Sequence, residues 1–525
     1  MPQDREFGFI RPPSPEQLQE YARRHNMRLE GTRAADLAPV MAEMVQMYDM
    51  LDEFPEQAQP TSAFTTRESG RPPRPDEDPL NAFIRLCRVE GADDGPLRGL
   101  TLAVKDCIAV AGVPLTNGSR MAPTLVPTED AVVVERLLGA GMTIVGKTNM
   151  EDMALGIGPA SAFGPVSNPV NTTFDTGGSS SGSGAAVAAG MVDAALGADE
   201  AGSVRIPAAW CGVVGMKATH GLVPSYGLTY MEHTIDHIGP ITRDVSTNAR
   251  MLAVMAGSDS RDPQWVRGAI PTDDYAADLT SPVSGMKVAI IAEALEPAGA
   301  TADVLAAFEN GVAALRDQGV TVTTVSFPAW SIAWPLEGAL LAFGARAMVD
   351  SGGAGYGHKG RIPTGTLETT AAQFRLSADD YAIMGRLNLL LAEHMRDQYL
   401  GLHYAKAQNL RLWFSRSLEE LASGYDALLT PTTPTVATRR EPRRHTEAEM
   451  LARIAGTAVV NTCALDLSGQ PALTVPVGPG MDGLPVGMQL IGRAFSERAL
   501  YRLGSAVERA DLWHGALHRG AVRRP

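Results

Sequence analysis

The stretch that decides the fold is GGSSSGSGAAVAAGMVDAALGADEAGSVRIPAAWCG, residues 177–212. Its first ten residues are glycine, serine and alanine only, a composition typical of flexible linkers. The stretch continues, however, into an apolar segment that predicts a helix opening at 185–190 and a strand at 192–198. The glycine- and serine-rich residues are therefore interpreted as part of a folded site.

One short motif in this stretch points to a different chemistry. Gly178, Ser180 and Gly182 match Gly-x-Ser-x-Gly, the turn that carries the nucleophile of α/β-hydrolases, which requires a buried strand directly before it. The preceding residues 168–176, NPVNTTFDT, are polar and turn-like instead. Histidines follow at 220, 233 and 237 with an aspartate at 236, so composition leaves a Ser-His-Asp arrangement open.

A second motif, GMTIVGKT (141–148), matches the phosphate-binding pattern GxxxxGK[ST]. A working phosphate loop follows a strand and precedes a helix. Here an amphipathic helix is predicted before Gly141, and the variable residues MTIV read as a strand. This order argues against ATP binding.

Composition narrows the classes of function. The chain has 525 residues and a net charge of −14, which argues against nucleic acid or an anionic membrane as the main partner. The four cysteines are scattered, which is typical of a reducing compartment and predicts neither disulfides nor a metal site. The first residues form no secretory signal, and no run of about 18 apolar residues is present, so a cytoplasmic protein is expected.

The chain is predicted to divide into an N-terminal helical arm with its connector, 1–75, and a catalytic domain, 76–525. Residues 14–52 read as two helices, and the second has an apolar stripe expected to be buried: Leu37, Val40, Met41, Met44, Tyr48 and Leu51. From about residue 81 strands and helices alternate, which predicts an α/β fold with one large mixed central sheet covered by helices on both faces. Residues 330–425 read as mostly helical and are expected to cover the substrate site.

Several ordered blocks along the chain resemble the amidase signature family. Besides 177–212 they are VKD (104–106), GKTNMEDMALG (146–156), SNP (167–169), VVGMKATHGLVP (213–224), DHIGPITRD (236–244), GQPALTVPVG (469–478) and GLPVGMQLIG (483–492). The helical arm, with TNGSR (116–120) and TIDHIGP (234–240), is most similar to bacterial enantioselective amidases. The resemblance implies the amidase signature fold, with no cofactor and no metal.

The resemblance also implies a Ser-cisSer-Lys triad. The nucleophile would be Ser203, the second serine Ser179, which follows a cis peptide bond, and the base Lys105. A serine hydroxyl is a weak nucleophile until a base takes its proton, and a lysine can act as that base only when it is neutral, a form that burial favours. Asp106 follows Lys105 in sequence, so its carboxylate is expected to point away or to bond to backbone.

Further site residues follow from the same resemblance. The oxyanion of the acyl-enzyme reaction would be held by backbone N–H groups of Glu200, Ala201, Gly202 and Ser203. Asp199 and Arg205 flank this segment and are interpreted as a structural clamp. Ala154, Leu155 and Gly156 are expected near the acyl part of the substrate. Glu200 and Ala201 depart from the usual residues of the family at these positions.

The expected function is hydrolysis of carbonyl C–N bonds in small aryl or apolar amides through an acyl-enzyme. Carbamate (urethane), anilide or hydrazide hydrolysis by the same triad is one alternative, because each substrate presents a carbonyl joined to nitrogen. A glutaminase subunit of a tRNA-dependent amidotransferase, which shares the signature, is the other. The expected partner is a small-molecule amide or carbamate, without nucleic acid or membrane, and a homodimer is left open.

Overall fold

The computed structural model describes residues 10–52, 54, 62–120, 125–156, 161–264, 270–364, 367, 369–371, 380–381, 383–440 and 458–513. The chain divides into two compact units, Met1–Thr61 and Ser62–Pro525.

The first unit contains the two predicted helices, α1 (Pro15–Arg24) and α2 (Gly31–Asp52). Ser14 caps α1 because its side chain accepts the Gln17 N–H while the Gln17 side chain accepts the Ser14 N–H. The prediction that the apolar stripe of α2 is buried is wrong. The exposed fractions are 40% at Leu37, 50% at Val40, 49% at Met44, 59% at Tyr48 and 66% at Leu51. Within the described part of this unit α1 is the only other helix, and ten residues cannot cover a stripe of this length.

The second unit is built on a twelve-stranded mixed sheet in the order β1-β2-β4-β3-β5-β7-β6-β11-β12-β10-β8-β9. Its strands are β1 (Arg67–Arg71), β2 (Phe83–Val89), β3 (Thr101–Lys105), β4 (Thr143–Thr148), β5 (Ala194–Asp199), β6 (Val214–Lys217), β7 (His237–Thr242), β8 (Lys287–Ile291), β9 (Thr321–Val325), β10 (Ala427–Pro431), β11 (Ala472–Pro479) and β12 (Pro485–Ile491). The pairs β3–β4, β3–β5, β8–β9 and β8–β10 are parallel, and the others are antiparallel. Strand β1 lies within the range predicted as a connector.

The helices of this unit are α3 (Val132–Gly139), α4 (Ser181–Ala188), α5 (Arg205–Cys211), α6 (Val245–Met255), α7 (Ala302–Asp317), α8 (Ala333–Asp350), α9 (Ile383–Tyr399), α10 (Leu402–Ala422), α11 (Cys463–Ser468) and α12 (Glu497–Glu508). Side chains alternate between the two faces of a strand. On β3, Leu102 and Val104 accordingly join the apolar core shared with α3, α6, α7 and α12, whereas Ala103 joins the core of α4 and α5. Helices therefore cover both faces, which confirms the predicted α/β fold.

One helical segment, Pro328–Asp350, is long and apolar enough to cross a membrane by length and composition alone. Helix α8, which makes up most of it, packs against α9, α10 and α11 and carries the fully buried Glu337. These contacts bury one side of α8 against its neighbours in this unit.

Candidate active site

The three residues of the predicted triad lie beyond the carboxyl ends of two neighbouring central strands of the sheet. Strands β3 and β5 are parallel neighbours, so their carboxyl ends lie side by side. Lys105 is the last residue of β3. Ser179 lies two residues before α4, and Ser203 lies two residues before α5, which follows β5.

The geometry joins the lysine to the first serine. Lys105 Nζ donates to Ser179 Oγ at 2.7 Å and lies 3.3 Å from the carbonyl oxygen of Ala198. The Ser180 N–H donates to the carbonyl oxygen of Ser203 at 3.3 Å, which holds the backbone of Ser203 against the segment that carries Ser179. The Gly178–Ser179 peptide bond is cis, as expected.

The three residues of the predicted triad differ in their exposure to solvent. Lys105 and Ser179 are fully buried, whereas Ser203 is 8% exposed and lines a pocket. Such an order suits a proton path that begins at an accessible hydroxyl and ends at a lysine shielded from water. The catalytic roles of the three residues stay predictions.

Asp106 does not pair with Lys105, because successive residues at a strand end point to opposite sides. Its carboxylate accepts the Thr116 N–H at 2.8 Å and lies 3.0 Å from Lys147 Nζ. The expectation that Asp106 points away is therefore confirmed. Lys147 is the lysine of the apparent phosphate loop, and the MTIV segment does run into strand β4, which follows helix α3. The lysine is thus engaged in a buried ion pair.

The Ser-His-Asp alternative finds no geometric support at Ser180. The Ser180 hydroxyl donates to the carbonyl oxygen of Ala198 at 3.2 Å. His237 instead lies 3.4 Å from Lys217 Nζ and 3.3 Å from Asp466, and His220 faces His237. These histidines belong to a separate buried network.

Asp199 and Arg205 meet as the predicted clamp requires. Arg205 Nη2 and Nε donate to the two Asp199 oxygens at 2.8 and 3.1 Å, and both side chains are fully buried. Burial alone would raise the pKa of Asp199, but the Arg205 guanidinium and hydrogen bonds lower that pKa to about 2. Arg205 also donates to Asp466 at 2.7 Å and to Gln489 at 2.8 Å. Sequence reasoning missed these two partners, because more than 250 residues separate them from Arg205.

The Asp199–Arg205 pair reduces the number of predicted backbone N–H donors that are available to an oxyanion. The Gly202 N–H donates to Asp199 Oδ1 at 2.7 Å, and the Val204 N–H donates to Asp199 Oδ2 at 2.9 Å. The N–H of Gly202 is therefore already engaged. Within the described ranges, no acceptor is found for the backbone N–H groups of Glu200, Ala201 and Ser203, so these three predicted groups remain available to an oxyanion.

A pocket of about 230 Å³ opens beside Ser203. This volume is below the ~300–1,000 Å³ typical of drug-sized ligands, so it favours a small substrate. The predicted substrate residues Ala154, Leu155 and Gly156 all line it. The other lining residues are Gly178, Glu200, Ala201, Ile206, Met231, Trp334, Gly338, Leu341, Met384, Asn388, Leu391 and Val459. Helices α8 and α9, from the range expected to cover the site, supply six of these.

Two buried carboxyl groups flank the triad. Burial raises the pKa of Glu200 to about 7 and the pKa of Glu151 to about 8. Glu151 packs against Gly178, where an added Cβ would lie 2.7 Å from a Glu151 oxygen. Sequence reasoning missed Glu151 as a site residue, although it lies within the block GKTNMEDMALG that carries the resemblance.

Comparison with known proteins identifies the relatives of the chain. The Amidase family matches residues 84–501. A glutamyl-tRNA(Gln) amidotransferase subunit from Halobacterium salinarum is 39% identical over 82% of this chain and 99% of its own length. The crystal structure of the corresponding glutamyl-tRNA(Gln) amidotransferase subunit from Thermotoga maritima is 30% identical, with a TM-score of 0.67 over 85% of this chain and 90% of that one. The peptide amidase of Stenotrophomonas maltophilia is 29% identical, with a TM-score of 0.65 over 82% and 89%.

These relatives correct two predictions. The expected hydrolysis of small aryl or apolar amides is wrong, because the curated relatives are named as subunits of an amidotransferase. The expectation of a small-molecule partner without nucleic acid is also wrong, since that amidotransferase is named for glutamyl-tRNA(Gln). The relatives do not support a particular closeness to enantioselective amidases or a urethanase activity. The family match spans most of the sequence and includes all three triad positions, so the chain belongs to the amidase signature family.

Proposed function

We propose that this chain is the amide-hydrolysing subunit of an amidotransferase that acts on glutamyl-tRNA. The observation that carries this proposal is the 39% identity to the amidotransferase subunit of Halobacterium salinarum over 99% of that protein's length. A match along the whole relative, and not only at the signature, supports a shared role in the same kind of assembly.

The site supports glutamine as the nitrogen donor. Ser203 attacks the side-chain carboxamide carbon, and its proton passes through Ser179 to Lys105. The N–H groups of Glu200, Ala201 and Ser203 stabilise the oxyanion. The proton returns to the leaving nitrogen as the C–N bond breaks, so ammonia departs and an ester remains on Ser203. Water then hydrolyses this ester, releases glutamate and restores the serine.

The negative net charge of the chain indicates that another subunit of this assembly binds the tRNA. A chain with a net charge of −14 repels the tRNA backbone, so a partner subunit supplies most of the tRNA contacts. This subunit supplies ammonia in the cytoplasm. The unit that carries the twelve-stranded sheet is its catalytic domain, helices α1 and α2 form its N-terminal helical arm, and helices α8 and α9 line its substrate site.

The test compares two amides on the purified full-length chain. Ammonia release is measured with glutamine and with benzamide, each alone and in the presence of glutamyl-tRNA(Gln). Glutamine is expected to be the faster substrate, and Ser203→Ala is expected to abolish its turnover. Turnover of benzamide without turnover of glutamine under both conditions overturns the proposal.

A further inference from the structure

The pocket beside Ser203 contains one acidic side chain that the mechanism above does not use. Apart from the indole of Trp334, the described lining residues with polar side chains are Glu200, Ser203 and Asn388. Both carboxyl oxygens of Glu200 are buried without a well-formed hydrogen bond, and the residue is 4% exposed. A buried carboxylate without partners is costly, so this group is suited to a ligand that supplies donors.

The basic side chains near Glu200 are already engaged with other groups. Arg205 is already held by Asp199 and Asp466. Lys105 also acts on Glu200 and lowers the pKa of that carboxyl group, but Lys105 Nζ is hydrogen-bonded to Ser179. Among the described lining residues of the pocket, Glu200 is the only one with an acidic or basic side chain, so an ammonium group bound in the pocket has this carboxyl group as its charged partner.

We propose that Glu200 binds an ammonium group of the amide substrate. This inference rests on the proposed function and extends it, because glutamine carries an α-ammonium group besides its side-chain amide. An ammonium group offers three N–H donors and a full positive charge, which together satisfy both Glu200 oxygens. Since the pKa of Glu200 lies at about 7, pairing with a cation is expected to draw the group into its carboxylate form. Glu200 is thus a specificity residue of the donor site.

The experiment measures binding without turnover. Glutamine and glutaramic acid, which lacks the ammonium group, are titrated calorimetrically into the full-length chain with Ser203→Ala. We expect glutamine to bind at least tenfold more tightly. Adding Glu200→Gln is expected to weaken glutamine at least tenfold, about 1.4 kcal/mol, and to leave glutaramic acid within twofold. The control is Glu232→Gln, which removes another buried carboxyl group, one outside the pocket and bonded to Thr234.

Two results overturn the inference: equal affinity for both ligands before Glu200 is changed, or an equal effect of Glu200→Gln on both. The first comparison needs no Glu200 variant, so it decides the question even if that variant does not fold. Failure of the wild-type chain to hydrolyse glutamine is a separate result that counts against the proposed function. In that case 5-aminopentanamide and pentanamide replace the first pair, and equal affinities for these two overturn the inference.

Discussion

The replacement Glu151→Gln tests whether a neutral acid packs against Gly178 in the wall of the site. Glu151 is buried, and one of its carboxyl oxygens has no hydrogen-bond partner. Burial raises the pKa of Glu151 from 4.5 to about 8. Glutamine has nearly the same shape as the protonated acid and cannot ionise, so this variant preserves the packing and removes the titration.

The sign of the effect follows from proton binding. A carboxyl group with a raised pKa in the folded state stabilises the fold fully below the unfolded pKa, and this stability is lost as the pH rises through the folded pKa. With values of 4.5 and about 8 for Glu151, the loss between pH 5 and pH 9 is about 4 kcal/mol. Glu151→Gln is expected to lack this loss, so its stability relative to wild type improves by about that amount across the range.

The assay is equilibrium urea unfolding of both proteins at pH 5 and pH 9. Glu68→Gln on strand β1 is the matched control, because Glu68 is exposed; its effect is expected to stay within about 0.5 kcal/mol at both pH values. If the difference between Glu151→Gln and wild type is the same at pH 5 and pH 9, Glu151 does not titrate as a buried acid, and the account of this wall of the site is wrong.

Three further substitutions test the triad and its support. Lys105→Arg keeps a long nitrogen-bearing side chain at the end of β3, but a guanidinium stays protonated and cannot accept a proton. Ammonia release is therefore expected to fall at least a hundredfold, and retained turnover would exclude Lys105 as the base. Gly178→Ala places a Cβ 2.9 Å from a backbone oxygen, so it is expected to lower the free energy of unfolding, measured by thermal unfolding, by about 1–3 kcal/mol. Gly401→Ala, whose added Cβ has no atom within 4 Å, is the control and is expected to cost less than about 1 kcal/mol. Equal losses for the two variants would contradict the close packing around Gly178. Asp199→Asn breaks the buried pair with Arg205 and is expected to cost about 3 kcal/mol in urea unfolding at pH 7, where a loss below about 1 kcal/mol would mean that the pair does not stabilise the fold.

The architecture was predictable because its signals are local. The alternation of strands and helices from residue 81 and the opposite burial of neighbouring residues on β3 both follow from backbone geometry. The order helix α3, then strand β4, likewise excluded a phosphate loop, since a strand cannot curl around a phosphate. Burial of the α2 stripe was not predictable, because periodicity shows that a helix has an apolar face but not that a partner covers it.

The function was not predictable from the signature alone. The signature implies an acyl-enzyme chemistry that amide hydrolases and amidotransferase subunits share. The proposal between these two classes of protein therefore depended on similarity along the whole chain. The substrate pocket combines residues from 154 to 459, and no local pattern relates such distant positions.

The sequence by itself indicated the family through its ordered blocks, and it indicated the mixed sheet through the alternation of strands and helices. The positions of Lys105, Ser179 and Ser203 were implied by the resemblance to that family. Only the tertiary structure decided which groups meet. It placed Lys105 Nζ 2.7 Å from Ser179 and engaged the Gly202 N–H with Asp199. It also left Glu200 buried without a well-formed hydrogen bond. The reason is that hydrogen bonding and desolvation depend on which distant residues pack against a group in the folded chain.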